Sequence, residues 1–134
     1  MLLNKQDAEL FYSLYFKVLK SYFNSLQNSS TQRRDFNSLP PDEILSVRDK
    51  LFDNLAYLNT YCSENKEGLS DEELEIIKQW KFFVKKTFIA YKNLKKYTVF
   101  VDTQESLSYG VIGLMTEISD ILENKFPVMV DALL

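Results

Sequence analysis

The sequence predicts an α+β fold that is mainly helical: two long N-terminal helices, a third, capped helix, a small antiparallel three-stranded meander and a short C-terminal helix, all within a single domain of residues 1–134. Three observations carry this expectation. Apolar residues recur at three- and four-residue spacing through two long runs before residue 63, the signature of amphipathic helices. A full set of helix-start signals stands at Ser70. Residues 97–102 and 109–114 are short runs rich in β-branched or aromatic side chains, separated by a polar turn.

The first helix is expected from Lys5 to about Gln27. Phe11, Leu14, Tyr15, Val18, Leu19, Tyr22, Phe23 and Leu26 keep one helical stripe, Asn4 is a candidate cap, and Lys17 and Lys20 lie off the stripe. The tyrosines of this run read as core residues whose hydroxyls reach the edge. Residues 28–39 are polar and predict a loop, with Phe36 and Leu39 as its apolar anchors and Arg33 and Arg34 as ordinary surface charge. Pro40 and Pro41 end that loop and open a second helix, because proline fits the first helical turn. It is expected to run unbroken from Pro41 to about Cys62, burying Leu45, Leu51, Phe52, Leu55, Leu58 and Cys62. Cys62, placed on that stripe, reads as a small buried apolar residue.

The third helix has the clearest start. The Ser70 hydroxyl can accept from the Glu73 amide while the Glu73 carboxylate reaches back to the Ser70 amide. Leu69 and Leu74 supply a hydrophobic staple, and Asp71, Glu72, Glu73 and Glu75 suit the positive helix end. Leu74, Ile77, Trp80 and Val84 continue the stripe, with Trp80 expected at the buried centre and the helix reaching about Lys86. Beyond it, strands are expected at 87–94, 97–102 and 109–114, with Lys95 and Lys96 in the first turn. Periodicity alone leaves 87–94 open between strand and continued helix. A short helix is expected at 116–124, capped by Thr116. The apolar residues 128–134 mark either a segment docked on the core, as a helix turn or strand, or a chain cut short.

Composition excludes several function classes. There is no histidine and one cysteine, so Cys–His and Ser–His–Asp catalysis, a zinc site of Cys and His ligands and an intramolecular disulfide are all ruled out. Gly68, Gly110 and Gly113 make no phosphate loop, and Glu117, Asp120 and Glu123 share a helix side without a proton-transfer partner. No apolar run approaches the length of a membrane span and no signal peptide is evident, so a cytoplasmic protein without membrane association is expected. No enzyme activity, cofactor or metal is expected.

The runs LSDEE at 69–73, Trp80, Phe83 and Val84, LKKY at 94–97 and the apolar 99–101 resemble the pattern of a family of uncharacterised prokaryotic proteins, with weaker similarity through 109–114. The resemblance implies a shared fold and brings no activity with it. Two departures stand out. Family members often carry glycine near the position of Lys86, and longer relatives continue past the equivalent of 126–134 into a further strand, which leaves either an open sheet edge or a missing strand here.

Charge is distributed unevenly. Residues 76–101 contain seven lysines and no acid, so with a net charge of −3 for the whole chain the rest carries −10. Aromatic residues alternate with these lysines. Lys85, Lys86, Lys92, Lys95 and Lys96 with Tyr91 and Tyr97 are therefore the candidate interaction surface. A solvated helix face is the simpler account of Lys78, Lys81 and Lys85. Two partner classes follow: a protein partner or second copy pairing with an open sheet edge and the apolar C-terminal run, or a nucleic acid held by the lysines and rings.

Overall fold

The computed structural model describes residues 1–27 and 33–134. The fold is α+β and mainly helical, as expected, with one four-stranded antiparallel sheet. The chain divides into two compact units, one of residues 11–82 and one of residues 1–10 with 83–134.

The helical unit begins within α1 (Lys5–Leu26), whose start is capped by Asn4: its side-chain oxygen accepts from the Asp7 amide at 2.8 Å. Leu14, Val18, Leu19 and Tyr22 are buried along one stripe, whereas Leu26, expected on it, is 47% exposed in the last turn. Part of the predicted 28–39 loop, including Ser29, Ser30 and Thr31, lies outside the described residues. Its second half contains a short 3-10 turn (Phe36–Ser38) capped by Asp35, and Phe36 and Leu39 are its buried anchors.

The predicted second helix is two helices, α2 (Pro41–Phe52) and α3 (Ala56–Glu64). Asp53 and Asn54, residues of low helix propensity, occupy the break. The break is silent in the pattern because Leu51, Leu58 and Cys62 are buried on both sides of it. Leu45 is half-exposed, contrary to the predicted face. It lies two residues from the buried Val47, about 200° around the helix.

Next, α4 (Asp71–Gln79) opens with the predicted capping box, in which both reciprocal hydrogen bonds between Ser70 and Glu73 are present at 3.1 and 3.2 Å. It stops seven residues before the expected Lys86 and tightens into a 3-10 turn (Trp80–Phe82). Ile77, fully buried, is its centre, not Trp80. The indole is half-buried, with its ring 5.6 Å from Phe11 and 6.5 Å from Tyr15. α3 packs against α4, where the buried Cys62 thiol points to the Leu74 carbonyl, and burial pushes that thiol's pKa up.

In the second unit, β1 (Lys85–Asn93), β2 (Thr98–Asp102) and β3 (Leu107–Val111) form the expected meander, so residues 87–93 of the open 87–94 segment are strand. The strand starts at Lys85 because β4 (Val128–Leu133) pairs with it from its first residue. The C-terminal run is thus a fourth strand, and the sheet order is β3-β2-β1-β4. The third strand starts two residues and ends three residues earlier than the predicted 109–114, and Gly113 instead bridges to Leu2.

One sheet face is apolar. Phe88, Ala90 and Phe100 form its centre, with Tyr109, Val111, Val128, Val130 and Ala132 beside them. Ile118, Leu122 and Phe126, from α5 (Ile118–Ile121) and the turn after it, pack onto this face. The helix is shorter than the predicted 116–124, and its cap is Glu117 instead of Thr116. Four residues suffice to bring Ile118 and Leu122 over the sheet, and Glu123 and Asn124 then take left-handed backbone that ends the turn.

Candidate functional surface

The sheet register sorts the five lysines of the predicted surface, since Lys78 and Lys81 lie in α4 and the 3-10 turn after it. Lys86 lies on the apolar face near the end of β1, where its ammonium donates to Asp102 Oδ2 and pairs with Glu105 Oε2, both at 2.8 Å. Asp102 is only 1% exposed, and its other oxygen accepts the Gln104 and Glu105 amides at 2.9 and 3.4 Å. The Lys86 ammonium, helped by these amides, holds the Asp102 carboxyl below the usual range against the opposing effect of desolvation. The two carboxylates in turn raise Lys86. This lysine locks the β2–β3 turn and leaves the predicted interaction surface. Lys85, beside it, is also engaged.

At the other end of β1, about 20 Å away at roughly 3.3 Å per residue, the remaining predicted residues come together. Ala90 pairs with Phe100 but Lys92 pairs with Val99, so Tyr91 is the extra residue of a β-bulge. Its ring is 52% exposed, and Lys92 Nζ lies 5.6 Å from the ring centroid. The Leu94 amide donates to the Tyr97 carbonyl at 2.8 Å, which leaves Lys95 and Lys96 as the hairpin tip, both exposed. Tyr97 is 40% exposed with its ring laid on Gly110: a Cβ there would stand 3.0 Å from Tyr97 Cδ2. Among the described residues, no carboxylate pairs with Lys92, Lys95 or Lys96.

A second surface is the free edge of β4, in which the open sheet edge and the apolar C-terminal run named from the sequence are one element. Val84 and Leu134 exchange both backbone hydrogen bonds, at 2.8 and 2.7 Å. Hydrogen-bonded pairs alternate along an antiparallel ladder, so Lys86–Ala132, Phe88–Val130 and Ala90–Val128 are the bonded pairs that follow. The amides and carbonyls of Met129, Asp131 and Leu133 then point away from β1. Met129 is 71% exposed, and Asp131 is held beside Thr87 by a side-chain hydrogen bond. The signal for this strand was present in the β-branched spacing of 128–134, but nothing local says which neighbour it joins.

Elsewhere the arrangement offers little chemistry. Among the described residues, no group of three or more metal-ligating side chains occurs and no helix is long and apolar enough to cross a membrane. Arg34 is occupied by Glu43 at 2.7 Å. An open cleft on α1 is lined by Phe16, Lys17, Lys20, Phe36, Asn37 and Ile44. The chain matches no family model, no curated protein and no solved structure.

Proposed function

We propose that this chain is a non-catalytic interaction module that pairs with a second copy of itself through the free edge of β4. The reading is carried by one observation: three successive outward positions, Met129, Asp131 and Leu133, present backbone donors and acceptors with no strand beside them among the described residues. The opposite edge is the poorer template. On β3 the outward positions are Ser108 and Gly110, and glycine weakens a strand interior.

A second copy suits the edge because an antiparallel β4–β4′ pair about a two-fold axis satisfies both protomers with the same patch. Asp131 selects the register. Pairing Asp131 with its own copy sets like charges directly opposite, whereas a shift that puts Met129 across from the other copy's Asp131 avoids this.

Sedimentation velocity over a wide concentration range tests the reading. The wild-type chain is expected to dimerise with concentration and the Met129→Pro variant to stay monomeric. Proline removes an outward amide and leaves the β1 ladder untouched. A strictly monomeric wild type throughout the range would overturn the proposal.

A further inference from the structure

The hairpin tip carries a feature that strand pairing does not use and that the fold does not need. Short hairpin tips favour residues that adopt positive φ, typically Asn-Gly, because such turns match the twist of the strands. Here the tip is Lys95-Lys96, and neither lysine has positive φ. The tip is therefore not a turn of the Asn-Gly kind, and what distinguishes it is charge: two adjacent exposed ammonium groups with no carboxylate partner among the described residues.

The surroundings match a specific ligand chemistry. Among the described residues Lys92, Lys95 and Lys96 have no carboxylate partner, and residues 76–101 contain no acid. Tyr91 is pushed outward by the bulge, and Tyr97 is propped on Gly110, so two rings stay exposed beside the ammonium groups without being free to collapse into the core. Base stacking on such rings tolerates sequence, and lysine binds phosphate as a point charge without the planar geometry that arginine imposes.

We infer that the β1–β2 hairpin end binds single-stranded nucleic acid, with Lys92, Lys95 and Lys96 on successive phosphates and Tyr91 and Tyr97 stacking on bases. An anionic membrane fits less well. The exposed apolar groups of the hairpin are rings, while its one aliphatic tip residue, Leu94, is half-buried. The surface is separate from the β4 edge and does not depend on self-pairing.

Fluorescence anisotropy with a labelled oligothymidylate tests this on the full chain. Binding is expected at low salt, with log K falling against log salt at a slope of about −2, as three phosphate contacts on a single strand require. Replacing Lys95 and Lys96 together with alanine should bring the slope to about −0.7. Tyr91→Ala should weaken binding about 5- to 150-fold, the range for loss of one stacking ring, whereas Tyr91→Phe should retain it. Absence of binding at low salt would overturn the inference. So would a slope unchanged by the double alanine variant, or equal binding to phosphatidylserine vesicles that Tyr91→Ala does not alter. Circular dichroism of each variant separates lost binding from lost folding, and Tyr91→Phe keeps the ring test decisive if Tyr91→Ala unfolds.

Discussion

Asp102 shows how much one buried residue decides. Its carboxylate is ionised beside Lys86 with a pKa below the ordinary value, so folding gains stability that is fully present above about pH 3.9. That stability is lost as pH falls through the lowered folded value. Thermal midpoints measured from neutral pH downward should drop more steeply below about pH 4 in the wild type than in Asp102→Asn, which starts lower and lacks this carboxyl. The pairing of Lys86 with the buried Asp102 was not legible, because the two are separated by 16 positions in the chain and only the β1–β2 register joins them. Ile77 teaches a similar lesson. The helical stripe placed both it and Trp80 inward, but the 3-10 turn at Trp80 rotates the indole to the edge of an aromatic group with Phe11 and Tyr15. Ile77→Ala should therefore cost about 2–5 kcal/mol in chemical denaturation, the range for truncating a fully buried aliphatic side chain.

Among the elements, those with local punctuation were readable and those stopped by distant partners were not. The start of α4 is written in five consecutive residues, Leu69 to Glu73, and the structure keeps every hydrogen bond that they imply. Its end has no such mark, since Val84 continues the stripe of Leu74, Ile77 and Trp80 and only pairing with β4 turns Lys85 into strand. The split between α2 and α3 went unseen for the opposite reason: apolar spacing survived a break that Asp53 and Asn54 make in the backbone. The hairpin tip offers a direct test. Because neither tip residue takes positive φ, replacing Lys95 with Asn and Lys96 with Gly removes two ammonium groups without supplying a better turn, and should shift the thermal midpoint by no more than about a few degrees. The same variant should lose the oligonucleotide binding inferred above, which would separate the stability of the hairpin from its use.

On the scale of the whole molecule, the sheet divides what composition had joined. The lysine-rich segment of 76–101 is not one basic surface: β1 carries Lys86 to the Asp102 and Glu105 end and Lys92 to the opposite end, with the tip lysines beyond it. The C-terminal run closes one edge of the meander and exposes another. Hydrogen exchange should report both facts. The amides of Val130 and Ala132, bonded to β1, are expected to be protected at all concentrations, whereas those of Met129, Asp131 and Leu133 should exchange rapidly in dilute solution and slow under conditions where the chain pairs. By itself the sequence determined the fold class, the helix face of α1, the capping box, the three-stranded meander and the absence of histidine chemistry. Each of these follows from residue type and short-range spacing. Only the tertiary structure decided the end of α4, the fourth strand, the pairing of Lys86 with Asp102 and Glu105 and the direction in which the β4 backbone faces. These depend on which segments meet across tens of residues, and hydrogen-bond register carries that information where local periodicity does not.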